Sequence, residues 1–196
     1  MFPFRSKMRP TFTSIEGQSP GILSDMLKRS YAPLLAIDPR HWTSEVRKWE
    51  EFDINVFKNP ETFGFCVFLS WVDEQIVGFG SYDPRQKLEF GIVGHNCILP
   101  EFRRKGFGLW QLREILSRLA AAGLKKAKAT THEHAFFEPA RRMYLACGFR
   151  KVGQRPWAAH PDQNVVDYER DLDNRVVGGF SPPAPPPPSM RVRIFR

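Results

Sequence analysis

The chain has 196 residues, 42% hydrophobic and 26% charged, with 17 phenylalanines and five tryptophans. That is an ordinary globular mix, enough for one domain of about 150 residues with an aromatic-rich core plus a tail. Its three cysteines, Cys66, Cys97 and Cys147, lie far apart, which argues against a disulfide framework or a zinc knuckle and fits a reducing, cytoplasmic setting. The basic start, Met1 to Pro10, lacks an apolar core of signal-peptide length, and the longest apolar stretch, around Phe63 to Val72, is roughly half a membrane span.

From about Arg9 the pattern alternates between strand and helix. Thr11 to Glu16 alternates as a short strand, and Pro20 to Tyr31 is helical, with Ile22, Leu23, Met26 and Leu27 on one face. Trp42 to Phe57 is a second helix that buries Val46, Trp49 and Phe52. Phe63 to Val72 is a buried strand rich in β-forming residues. Asp73-Glu74 turns it into an antiparallel partner, Gln75 to Tyr82, which Asp83-Pro84 ends. Leu88 to Leu99 is a longer strand.

Phe107 to Ala122 is the clearest helix. Leu109, Leu112, Ile115, Leu116 and Leu119 form its apolar stripe, and Gly123 stands where a left-handed cap is wanted. Lys126 to Thr131 is a strand, Pro139 to Cys147 a helix closed by Gly148, and Phe149 to Gln154 and Val165 to Leu172 are strands. Residues 1–8 read as an extension, 9–172 as one mixed α/β domain, and 173–196 as a tail. Six prolines between Pro182 and Pro188 force that tail into extended polyproline II without a core, which predicts disorder.

The net charge of +8 fits nucleic acid, a membrane surface or an anionic small molecule. Its location separates these. Eight basic residues against the one acid Glu114 lie between Arg103 and Lys128, so much of the excess is local. It sits beside a glycine turn, Arg103-Arg104-Lys105-Gly106-Phe107-Gly108, between a strand and a long helix. Glycines let successive N–H groups converge there, and the positive helix end favours an anion. No Gly-x4-Gly-Lys-Ser/Thr run exists, and a dinucleotide fingerprint would need glycine at position 111, which is Gln111. A solvated basic helix face is the bland alternative.

Downstream, Tyr144-x-x-x-Gly148-Phe149 ends a short amphipathic helix. Arg103-x-x-Gly106-x-Gly108 resembles the R/Q-x-x-G-x-G/A motif of the GNAT superfamily of N-acetyltransferases, and the tyrosine segment is similar to that superfamily's second signature. The element order from Arg9 to Leu172 matches as well. The resemblance implies an α/β (α+β) fold: a mixed central sheet of about six to seven strands, about four flanking helices, and fourth and fifth strands that splay apart.

It further implies acetyl-CoA as acyl donor. His132-Glu133-His134 invites a metal reading, but no third ligand follows at a motif spacing, so no metal is expected. Unpaired backbone groups of Cys97, Ile98 and Leu99 would bond the pantetheine arm, and one N–H near Asn96 to Ile98 would hold the oxyanion. The pyrophosphate would rest on amides from Arg104 to Leu109 (Arg104, Lys105, Gly106, Phe107, Gly108 and Leu109), with Arg103 adding charge. Tyr144 would protonate the departing thiolate; a core aromatic is the alternative.

For the base, the position of the superfamily's frequent glutamate is Ile92. His95, Glu89, Glu133 with its flanking His132 and His134, or a water chain all remain. Phe137 stands where the family often has an asparagine that bonds the cofactor arm. The acceptor, a small-molecule or peptide amine, is expected near Asp38, His41, Trp42 and Glu45. The competing readings are a non-catalytic acyl-CoA sensor and a basic nucleic-acid module, and a homodimer is left open.

Overall fold

The computed structural model describes residues 9–87, 89–158 and 160–172. Its order is β1 (Thr11–Thr13), α1 (Ile22–Ile37), α2 (Pro39–Lys58), β2 (Val67–Val72), β3 (Gln75–Lys87), β4 (Phe90–Ile98), α3 (Phe107–Ala121), β5 (Lys126–His132), α4 (Glu138–Ala146), β6 (Arg150–Trp157) and β7 (His160–Asp171). The expected extension and proline-rich tail lie outside the described residues. One seven-stranded sheet forms in the order β1-β2-β3-β4-β5-β7-β6. Every neighbouring pair is antiparallel except β4 and β5.

Alternation along the strands sorts the core into two layers. Val67, Leu69, Phe79, Cys97 and Leu99 pack with Leu23, Leu27, Trp49 and Phe52 of α1 and α2. Phe68, Val93, Ala127 and Ala129 pack with Leu112, Ile115, Leu119 and Tyr144 of α3 and α4. Full burial of an aliphatic side chain such as Leu112 or Ile115 contributes about 1.5–3 kcal/mol, which makes α3 the anchor of its layer.

Several boundaries differ from the sequence expectation, among them β7, which begins at His160 rather than Val165. Helix α1 runs six residues past Tyr31 with Pro33 inside it. Burial of Leu34, whose carbonyl accepts from the Asp38 N–H at 3.0 Å, offsets the bond the proline removes. Strand β2 begins only at Val67, because the Asn59 carbonyl takes the N–H groups of Thr62, Phe63 and Gly64 and holds that stretch as a turn. Strand β3 continues through Asp83-Pro84 to Lys87. Its register with β4 slips between Asp83 and Lys87, so Pro84 sits in an irregularity rather than in a regular ladder.

Helix α1 has no side-chain cap of its own, since Gly21 occupies that position at φ 101°. Buried Asp53 of α2 supplies one: Oδ1 accepts from Gly21 N–H at 2.6 Å, and Oδ2 from Leu23 and Ser24 N–H at 2.8 and 3.1 Å. The two helices are thereby locked as a pair beside the sheet.

Candidate active site

Strands β4 and β5 pair over only three positions, Phe90↔Lys126, Gly91↔Ala127 and Ile92↔Lys128. Beyond them, residues 93–98 and 129–132 have no ladder between them, and the sheet opens into a V. Near the apex Gly91 lets Leu119 pack directly on the strand, since an added Cβ would meet its Cδ2 at 2.3 Å.

The register with β3 decides which backbone groups face that gap. Leu99 N–H donates to Val77 O at 2.9 Å, and Cys97 opposes Phe79 two residues back in the same ladder. Groups alternate in an antiparallel pair, so Cys97 and Leu99 point toward β3 while Asn96 and Ile98 point toward β5. The expectation that Cys97, Ile98 and Leu99 all offer unpaired groups is corrected accordingly. Leu99 N–H is occupied and Cys97 O lies 3.3 Å from Gln111 Nε2. Even the Ile98 carbonyl accepts from Arg103 Nε at 3.0 Å and from Ser30 Oγ at 3.4 Å.

Beside the open end, α3 starts at the glycine turn. Arg104 (φ 61°) and Gly106 (φ 88°) are left-handed, which turns the chain so that the N–H groups of the first turn converge. Gly106 caps the helix without a side-chain bond. Its carbonyl takes the N–H groups of Leu109 (3.1 Å) and Trp110 (3.3 Å), so Leu109 leaves the expected set of free amides. Those of Phe107 and Gly108 precede the first intrahelical bond. Gly108 allows close approach, with a Cβ there 3.3 Å from Met143 Sδ of α4.

The charge around the turn has divided roles. Arg104 and Lys105 are exposed, with Lys105 Nζ 5.3 Å from the Phe102 ring. Arg103 is pinned to the fold by Ile98 O and by Ser30 O at 2.8 Å. Arg118 is buried against Glu114 (2.8 Å) and Phe68, and Lys128 pairs with Glu169 (2.8 Å).

Tyr144 is buried on α4, its ring 5.3 Å from Phe149 and 5.5 Å from Tyr168. Burial, with Tyr168 adding, pushes its phenol well above the ordinary range, so it stays protonated at neutral pH. Tyr31 of α1 was missed by the sequence reading. Its phenol is pushed up by burial first, then by neighbouring Cys97 and Tyr144, against Arg103. Its helical spacing reads only as core.

Rings from five elements gather around Tyr31 and the end of β5. Tyr31 packs on Trp42, Trp49, Phe136 and Phe137 at 5.0–5.9 Å. Trp42 meets Phe137 (6.1 Å) and Trp157 (6.0 Å), and His132 lies 4.2 Å from Trp157. Phe137 is thus committed to this cluster and offers no polar group. Glu45 pairs with Lys48 at 2.6 Å; the side chain of His41 lies outside the described residues.

The base candidates separate. His95 rests on Phe52 (4.9 Å) and Phe79 (6.0 Å), and burial pushes its imidazole down to about 4. Glu89 is at the closed end of the V, its carbonyl taking the N–H groups of Lys125 and Lys126. Glu133 accepts from Gln154 and Asn164 at 3.0 Å each, and His134 Nδ1 accepts from Phe136 N–H at 3.1 Å. Among the described residues no group of three or more His, Cys, Asp or Glu could hold a metal ion, and no helix is long and apolar enough to cross a membrane.

No curated protein sequence matches the chain significantly. Several solved structures share the fold at low identity. A protein assigned to the GNAT acetyltransferases from Desulfovibrio desulfuricans superposes with a TM-score of 0.67 at 14% identity, covering 84% of this chain and 99% of its own. The ribosomal-protein-S18-alanine N-acetyltransferase from Escherichia coli gives 0.58 at 12% identity over 88% and 99%. An aminoglycoside 6'-N-acetyltransferase complexed with coenzyme A gives 0.60 at 16% over 84% and 98%. The family model described as acetyltransferase (GNAT) family matches residues 25–149, which span the V, the glycine turn and Tyr144; the chain belongs to the GNAT acetyltransferase family.

Proposed function

We propose that the chain is an N-acetyltransferase that moves an acetyl group from acetyl-CoA to a primary amine of a small molecule or peptide by direct attack. The observation that carries this reading is the three-residue β4–β5 pairing that opens beside an uncapped, glycine-turned helix start. A pyrophosphate fits the first-turn N–H groups, including Phe107 and Gly108, and exposed Arg104 and Lys105 suit the nearby phosphates. The chain works in a cytoplasmic setting.

Acetyl-CoA supplies the thioester. The amine lone pair attacks the thioester carbon, and the gap-facing N–H of Asn96 or Ile98 holds the developing oxyanion. The C–S bond then breaks, Tyr144 passes its phenolic proton to the leaving sulfur, and the phenolate regains a proton from water before the next turnover. A histidine with a pKa near 4 is a poor acceptor for an ammonium proton, so a water chain from the cleft removes it, with His95 neutral throughout. The acceptor enters from the aromatic end, past Trp157 and His132.

Calorimetric titration with acetyl-CoA, followed by thiol release across a broad amine panel, tests this. Saturable binding with turnover on at least one amine is expected. Binding without turnover on any amine points to a sensor, and absence of binding removes acetyl-CoA from the account.

A further inference from the structure

A line of polar side chains, buried at Ser70 and Gln111 and half-buried at Asn96, joins β2, α3 and β4, and none of the steps above uses it. Ser70 Oγ donates to Gln111 Oε1 at 2.5 Å. Gln111 Nε2 donates to Phe79 O at 2.7 Å and to Asn96 Oδ1 at 2.5 Å. Asn96 Nδ2 donates to Gly108 O at 3.2 Å and reaches Met143 Sδ at 3.5 Å. Ser70 and Gln111 are both 0% exposed. A leucine at 111 would extend the apolar stripe of α3 without burying an amide.

The line has one hydrogen-bond direction. The backbone carbonyls of Phe79 and Cys97 can only accept, so they fix the Gln111 amide with Nε2 toward β4, and Ser70 supplies the donor for its oxygen. Asn96 must then present Oδ1 to Gln111 and Nδ2 to the opposite side. The Gly108 carbonyl, also an acceptor only, fixes the same orientation independently. One Asn96 N–H is used well, on Gly108. The other faces the Met143 thioether of α4, a weak acceptor.

We propose that Asn96 is the side-chain donor for the pantetheine arm of the acyl donor, exchanging Met143 sulfur for an amide carbonyl of the arm. Gln111, held by Ser70 and Phe79, is a positioning residue that keeps the Asn96 Nδ2 turned toward α4. This rests on the acetyl-CoA reading above. It places the donor between the first turn of α3 and α4, where the arm must pass from the phosphate turn to Tyr144. The flexible Met143 side chain can yield its place.

The test compares acetyl-CoA with 3'-phospho-ADP, the nucleotide end of coenzyme A without the arm, by calorimetry. Asn96→Ala should weaken acetyl-CoA about tenfold, one charge-neutral hydrogen bond, and leave 3'-phospho-ADP unchanged. Asn96→Asp, which cannot donate, should do at least as much damage, and Gln111→Leu should show the same split in weaker form. In the unmutated chain, the Asn96 side-chain NH2 resonances should shift with acetyl-CoA and stay in place with 3'-phospho-ADP. An Asn96→Ala variant that binds acetyl-CoA normally, or loses both ligands equally, overturns the assignment, as do unmoved NH2 resonances. An unmutated chain that binds neither ligand overturns the acetyl-CoA reading, and this assignment with it.

Discussion

Arg103 Nη2 donates to the carbonyl of Ser30, 2.8 Å away and 73 positions earlier in the chain, while its Nε holds Ile98 O at 3.0 Å. One guanidinium therefore ties α1 to the end of β4, at the mouth of the V. Arg103→Ala should lower the unfolding free energy by about 2 kcal/mol, from two charge-assisted bonds to backbone. Lysine should recover little of it, having no planar fork. Urea denaturation of Arg103→Ala and Arg103→Lys beside Arg104→Ala checks this; the exposed Arg104 should be neutral for stability. Equal stability of all three variants would refute the tie.

Tyr144→Phe removes the proposed proton donor and keeps the ring that packs on Phe149 and Tyr168. Its kcat should fall by roughly 100-fold, in the range of general acid catalysis, with acetyl-CoA affinity within about twofold of the unmutated chain. Because burial raises the phenol, Tyr144 should not cause a fall in kcat between pH 8 and 10 (window set from about 10 for a free phenol). An unchanged kcat in the variant would take Tyr144 out of the mechanism.

The imidazole of His95 is lowered by burial to about 4 in the fold, against about 6.5 in an open chain. Below the open-chain value the unfolded state binds the proton and the native state does not, so stability falls as pH drops. This contribution is intact above about pH 6.5 and is lost progressively toward pH 4. Thermal melts between about pH 5 and 6.5, above most carboxylate titrations, should show a falling Tm that His95→Gln flattens. A slope unchanged by that substitution would contradict a histidine held neutral by its surroundings.

Trp157 stands at the end of β6, against Trp42 and His132, and is partly exposed. Under the proposed function, Trp157→Ala should raise acceptor KM several-fold and leave the acetyl-CoA Kd unchanged. Steady-state kinetics with the best amine of the panel separates the two, and a change in acetyl-CoA binding alone would place Trp157 on the donor side instead.

Much of the fold was legible because its signals are local. The stripe Leu109, Leu112, Ile115, Leu116 and Leu119 marks α3, and Gly123 and Gly148 do end α3 and α4 at φ 79° and 78°. The prolonged β3 was hidden, since a register slip with a partner strand, not local propensity, accommodates Pro84. Asn96 and Gln111 left a faint signal, two amides within an apolar strand and an apolar helix face. Tyr31 left none beyond the helical period it shares with core residues.

By itself the sequence determined the glycine turn and the helix that follows it. Glycine is needed where φ turns positive, and an apolar period of 3.6 begins immediately after it, both within a few residues of chain. The tertiary structure alone decided which groups near that turn face the gap. Pairing with β3 directs Cys97 and Leu99 away and leaves Asn96 and Ile98 toward it. It also fixes Arg103 on Ser30 and turns the Asn96 amide through Ser70 and Gln111. These partners are 15 to 73 positions apart; hydrogen-bond direction across such separations is set by packing and register, which no local pattern of residues encodes.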